Sequence, residues 1–230
     1  MRLALLSSAI LLAGIGFAEE PPADSGPMLR FTATTSSVTG APDAIRIDLF
    51  RWSTETERDA LIAAWELKSA PPVRGGRGAP GGAARGAGGR GRAGGARGGT
   101  TAAVTPTPEA ELARALKEAQ TLGYLWSSEA AGYALRYAGK FAQPDGSDRI
   151  ILITDRRLGE VNGRWRAPSQ IASAPYDFSV IELRLNAKGV GEGKVSLGEK
   201  VAPDAVAGIV TLANYDALPV VLTGLKRATK

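Results

Sequence analysis

The segment Arg149 to Thr154 constrains the fold more than any other. Between a charged start and a hydroxyl end it reads Ile-Ile-Leu-Ile, with no polar position left to face water. A strand of that kind is covered on both faces, which puts it in the middle of a sheet with a layer on either side. Its sequence neighbours supply the sheet. Tyr133, Leu135 and Tyr137 alternate with Arg136 and Lys140, and the turn Pro144-Asp145-Gly146-Ser147-Asp148 joins them to the apolar run. Ile181, Leu183 and Leu185 alternate with Glu182 and Arg184, and Val195 and Leu197 lie beyond a glycine-rich turn at Lys188 to Gly193. Two last strands, Ile209 to Tyr215 and Val220 to Leu225, flank a turn around Asp216 to Pro219. Upstream, Leu29 to Val38 and Ile45 to Trp52 complete the set, the second with Ile45, Ile47 and Leu49 on one face. Short antiparallel links imply a meander of about eight or nine strands, which at that number closes into a barrel or splits into a sandwich.

Two helices interrupt the strands. Thr54 and Glu57 have the spacing of a capping box, and Leu61, Ile62 and Trp65 follow as its apolar side. Thr107-Pro108 announces a second helix with Glu109 and Glu111 near its positive end, Leu112, Ala115, Leu116 and Ala119 in helical spacing, and Gly123 as its stop. Together they read as a helical hairpin on the sheet, giving an α+β fold.

Where a short turn would join those helices, residues 69–106 form a Gly/Arg-rich insertion. Half of residues 74–99 are glycine, and no large apolar side chain follows Val73 until Val104. Such a segment cannot bury enough surface to offset its ordering entropy, so a disordered loop is expected. Its length is tolerable, because growing a loop from about four to about 40 residues costs only about 2 kcal/mol of closure entropy.

Export is read from the other end. Met1-Arg2, an apolar stretch from Leu3 to Phe17 too short for a bilayer, and Gly16 and Ala18 before a cut are the pattern of a cleavable signal over 1–18. The expected organisation is a signal, a flexible tail over 19–28, and one β-rich domain over 29–230 broken by the insertion. The expected location is periplasmic or secreted, with no transmembrane anchor expected after cleavage. The chain has no cysteine, so no disulfide framework or lipid-bearing cysteine contributes.

Arg51-Trp52-Ser53-Thr54 with Glu57-Arg58 and Leu61, Ile150 to Arg156, Val180 to Asn186 with Gly191 and Gly193, and Asn214-Tyr215 together resemble a family of small exported bacterial proteins of uncharacterised function. The resemblance implies a shared fold and export. It brings no activity, cofactor or catalytic residue, and the insertion departs from the family's shorter link between the helices.

Chemistry is narrowed mainly by exclusion. The chain has no histidine, which removes Ser-His-Asp and Cys-His catalysis and nearly all transition-metal sites. No serine has a lysine three residues on, the spacing of a Ser-Lys nucleophile. Lys188 to Lys194 imitates a phosphate loop, yet Lys188 stands where its first glycine belongs and Val195 where its hydroxyl belongs, so a hairpin is expected. Asp145 and Asp148 around Gly146 lack the acidic spacing of a calcium loop and read as a turn. The carboxylates Asp48, Asp155 and Glu182 could serve a histidine-free hydrolase, but Arg46, Arg157 and Arg184 beside them suit ion pairs better. No catalytic residue, metal or cofactor is assigned.

What remains is binding. Trp52 and Trp65 are expected in the core, whereas Trp165, between Arg164 and Arg166, is expected at the surface as a ligand contact. Arg74, Arg77, Arg85, Arg90, Arg92 and Arg97 in the insertion could hold an anionic polymer, though no aromatic residue accompanies them to stack on bases. Removing those six charges and Arg2 from the formal +5 leaves −2, so the high isoelectric point belongs to the insertion. The expected function is a non-catalytic binding or envelope-associated module, with an envelope polymer or another envelope protein as partner. The alternatives are a carboxylate hydrolase and a polymer binder acting through the insertion.

Overall fold

The computed structural model describes residues 26–39, 42–68, 106–128, 132–160, 165 and 176–228. The expected signal, most of the expected tail, and residues 69–105 with the six arginines lie outside the described residues. The elements run β1 (Leu29–Thr35), β2 (Ala44–Leu49), α1 (Glu55–Trp65), α2 (Pro108–Glu118), β3 (Gly123–Trp126), β4 (Tyr133–Ala142), β5 (Asp148–Thr154), β6 (Val180–Leu185), β7 (Val190–Val195), β8 (Val201–Asp204), β9 (Ile209–Leu212) and β10 (Leu222–Arg227). Eight strands close into an antiparallel barrel in the order β1-β10-β7-β6-β5-β4-β3-β2, and β8 pairs with β9 in a separate two-stranded sheet. Closure removes the unpaired edges that an open sheet of this size would expose.

The barrel interior is a packed core. Phe31, Ile47, Leu49, Leu125, Tyr133, Leu135, Ile150, Leu152, Ile181, Leu183, Leu222 and Leu225 are among the side chains that fill it. Two glycines in β7 make room. A Cβ on Gly193 would lie 2.7 Å from a methyl of Leu183, and one on Gly191 would lie 1.8 Å from the carbonyl oxygen of Arg184. At one mouth, Asp148 accepts from Arg227 at 2.6 Å and pairs with Lys140 at 3.1 Å. Burial works against its ionisation, but these two cations outweigh it and hold its pKa below the usual value.

A second layer covers one side of the barrel. Ile151 and Ile153 point outward from β5 and join Tyr137, Phe178 and Val180 beneath Leu61 of α1, Leu112 and Leu116 of α2, and Ile209 and Val210 of β9. The apolar run is therefore buried on both faces, as its composition requires. Both helix starts have the expected chemistry. Thr54 and Glu57 form a complete capping box, and Thr107 accepts from the amide of Ala110 with Pro108 at the first turn.

Three features differ from the sequence-based expectation. Gly123 does not end α2; the helix stops at Ala119, and Gly123 opens β3, where a Cβ would meet the Asp48 carbonyl oxygen at 2.2 Å. Tyr137 does not share a face with Tyr133 and Leu135. The register of β4 against β5 shifts between Leu135 and Tyr137, and the irregularity turns Tyr137 into the outer layer. The last two expected strands do not form a hairpin: β9 pairs with the short, proline-bearing β8, while β10 crosses back to lie between β7 and β1.

Candidate functional site

A cavity of about 750 Å³ lies between α1 and α2. Its existence follows from residue size. The facing positions Ala60, Ala63 and Ala64 of α1 and Ala115 of α2 are small, so helices joined at one end by packing on the barrel leave space between them. Leu61, Leu67 and Pro106 add apolar surface. Leu67 and Lys68 mark where the chain leaves toward the insertion, and Pro106 marks where it returns.

The rim of that groove is polar, and its charges are paired. Arg51 grips Glu57 with two bonds of 2.6 and 2.8 Å and reaches Gln120 Oε1 at 2.8 Å. The Arg51 guanidinium, against the opposing effect of burial and helped by the Thr54 amide, holds the Glu57 carboxyl down at about 2. Arg136, rising from β4, donates to Asp155 at 3.0 Å, to the Ala119 carbonyl at 2.6 Å and to Thr121 at 3.0 Å. Arg114 is shared by Glu111 and Glu118 on its own helix. Every ionic group named at the rim therefore has a partner of opposite charge within the protein.

Leu67 is the conspicuous residue of the rim. Its amide bonds to the Ala64 carbonyl and that of Lys68 to the Ala63 carbonyl, the pair of bonds of a Schellman motif. That motif needs a left-handed residue, normally glycine, and Leu67 takes it with φ of 55°. An L side chain there costs about 1–2 kcal/mol. Leu67 keeps 41% of its surface exposed at the groove's edge.

The carboxylates singled out in the sequence are not brought together. Asp48 on β2 and Glu182 on β6 lie on opposite walls of the barrel. Asp155 follows β5, four positions beyond Ile151, the residue paired with Glu182, or about 13 Å along the strand. Asp48 is held by Arg30 at 2.6 Å and Arg46 at 3.0 Å. Glu182, fully buried, takes Arg149 at 2.8 and 3.0 Å and Arg184 at 3.2 Å. The expected partners Arg46 and Arg184 are in place, while Asp155 takes Arg136 instead of Arg157 because β4 lies beside β5 and presents Arg136 there.

Trp165 is not the exposed contact its flanking arginines suggested. It is 4% exposed and belongs to the barrel core, packed so closely on Gly159 that a Cβ there would meet it at 2.6 Å. An indole has more apolar area to hide than its two neighbours have charge to solvate, and the barrel interior offers the space. Trp52 and Trp65 are partly buried and packed on the inner and outer clusters. Lys188 to Lys194 is a β6–β7 hairpin in which Gly189 takes φ of 73° and Asn186 accepts the amides of Lys188 and Val190. Asp145 accepts from Ser147 in a turn, and no group of three metal-ligating side chains occurs among the described residues. No helix of the described residues is long and apolar enough to cross a membrane.

The groove itself was not legible in the sequence. Its small positions are alanines, which helical periodicity counts as core, and only their placement between two helices makes a cavity. Leu67 in place of a capping glycine is the one local signal that could have pointed to it. No protein-family model, curated protein or solved structure matches the chain.

Proposed function

We propose that this chain is an exported, non-catalytic binding module that holds an apolar ligand in the groove between α1 and α2. The observation that carries this reading is a cavity of about 750 Å³ lined by alanine, leucine and proline together with ionic groups that are already paired. Small-molecule sites occupy roughly 300–1,000 Å³ and are lined mainly by apolar side chains. A charged ligand would have to compete with Arg51–Glu57 or Arg136–Asp155 to be recognised, whereas an apolar one displaces water from the alanine and leucine side chains and leaves those pairs intact. The left-handed Leu67 supports the same reading. Glycine would relieve its backbone, and an apolar side chain at the mouth of an apolar groove gives that strain a use.

The separation and pairing of Asp48, Asp155 and Glu182 favour this over the hydrolase alternative, because a two-carboxylate mechanism needs its groups within about 10 Å across a cleft. Titration with a neutral apolar fluorophore, N-phenyl-1-naphthylamine, tests the proposal. The full chain binds one equivalent saturably, and Ala115→Trp, which fills the groove from α2, abolishes the signal. Equal binding by wild type and Ala115→Trp rules the groove out.

A further inference from the structure

The outer layer of helices and β8–β9 lies over β4, β5 and β6, and the opposite side of the barrel has a different character. Its outward positions form cross-strand rows. Lys226 of β10 lies opposite Thr32 of β1, Thr32 opposite Arg46 of β2, and Arg46 opposite Trp126 of β3. The adjacent row sets Arg30 opposite Asp48 and Asp48 opposite Tyr124. Arg30 and Arg46 keep 44% and 49% of their side chains exposed although both hold Asp48, and Lys226 is exposed. Arg30 and Arg46 share one buried carboxylate and Lys226 lies beyond Thr32, so these positions form a net positive strip on a domain whose formal charge outside residues 1–18 and 69–106 is −2.

Aromatic surface borders that strip. Phe50 is 47% exposed and meets Tyr124 edge-on at 6.1 Å, and Tyr124 lies 5.5 Å from Trp126. These rings offer no open pair of parallel faces. Arg46 sits 5.4 Å over Trp126, and a Cβ on Gly132 would lie 3.0 Å from the same indole. Bases of a nucleic acid, which bind such strips by stacking, would find the best platform occupied. A saturated sugar ring needs only C–H contact with an exposed ring edge or face.

We propose that the outer face of β10, β1, β2 and β3 binds an acidic glycan, with its carboxylates on Arg30, Arg46 and Lys226 and its sugar C–H surfaces on Phe50 and Tyr124. The face is open and spans four strands, which fits an extended polymer. Charge complementarity commits it to a polyanion, and the covered indole to one without bases. This surface is separate from the α1–α2 groove and stands whether or not the groove binds a ligand.

The test uses the full chain with the six insertion arginines replaced by glutamine, so that retention reports the barrel face alone. Immobilised alginate, a polymer of uronates, is compared with neutral dextran and with a thymidine oligonucleotide. Alginate retains the protein in a salt-sensitive manner and dextran does not. Phe50→Ala with Lys226→Gln, which leaves Arg30 and Arg46 on Asp48, weakens alginate binding about tenfold at an unchanged melting temperature. Lys226→Glu, which removes no packing, gives a comparable loss and keeps the test decisive if Phe50→Ala disturbs the fold. No retention on alginate, equal retention of parent and Lys226→Glu, or tighter binding to the oligonucleotide than to alginate would each overturn the proposal.

Discussion

Glu182→Gln is the substitution that most sharply separates a structural carboxylate from a poised one. Glu182 is fully buried on the outer face of β6, with both oxygens taken by Arg149 and one also by Arg184. Arg149, 16% exposed, spans from Glu182 to Asp204 at 2.7 Å and so ties the β8–β9 sheet to the barrel. The guanidinium of Arg184 stacks on the Tyr215 ring, 3.5 Å from its centroid, and Lys194 donates to the Tyr215 carbonyl at 2.9 Å, closing the cluster. Glutamine keeps the volume but turns one acceptor into a donor facing a guanidinium. Breaking a buried pair from one side costs about 3–5 kcal/mol, and because Asp204 still holds Arg149 the lower end, about 3 kcal/mol, applies. For a domain of this size that is a fall of about 6–12 °C in melting temperature. Equilibrium denaturant unfolding of Glu182→Gln, and of Glu182→Met combined with Arg149→Met, measures it. The double substitution recovers only part of the loss, because it leaves no unpaired Arg149 but takes from Asp204 the guanidinium it held and from Arg184 the buried carboxylate. A Glu182→Gln variant within about 0.5 kcal/mol of wild type would refute the ion-clamp reasoning.

Glu57→Gln preserves the capping bond while removing the charge held by Arg51. Because the folded pKa is depressed from 4.5 to about 2, the pair's contribution is fully present above the ordinary value and is lost as pH falls through about 2. Wild type is therefore more stable than the variant by about 1 kcal/mol at pH 7, after allowance for solvent screening, and the two converge near pH 2 in a pH series of urea melts. Gly191→Ala, whose Cβ would lie 1.8 Å from a backbone oxygen, costs at least about 3 kcal/mol by the same melts. Gly146→Ala meets no atom but must hold φ of 80°, and costs only about 1 kcal/mol. Leu67→Gly relieves the left-handed backbone and, after the added freedom of the unfolded chain, leaves stability unchanged or higher by up to about 1 kcal/mol. The same variant binds N-phenyl-1-naphthylamine several-fold more weakly than wild type.

Much of the fold is written in local patterns. The Ile-Ile-Leu-Ile run of β5 demanded cover on both faces, and Thr54 with Glu57 and Thr107 with Pro108 marked both helix starts because those signals act within one turn. The misplacements share a cause, which is that long-range geometry decided them. Tyr137 has the right period for the interior, yet the irregularity opposite β5 turns it outward. Ile209 to Tyr215 and Val220 to Leu225 read as neighbours across a turn, but β9 has a partner in β8 that Pro203 disguised. Trp165 looked exposed from its arginine neighbours, while its burial depends on where the barrel ends. Both candidate surfaces depend on juxtaposition in the same way. Ala63 and Ala115 are ordinary core letters until two helices face each other, and Lys226, Arg46 and Trp126 come from distant parts of the chain until register aligns them.

Native mass spectrometry of the protein recovered from its own cells and their medium tests the groove most directly, run on wild type beside Ala115→Trp. An apolar ligand in the α1–α2 groove gives wild type a native mass above that of its own denatured chain, and leaves Ala115→Trp bare. Wild type at its bare mass, or the same added mass on both proteins, would contradict it.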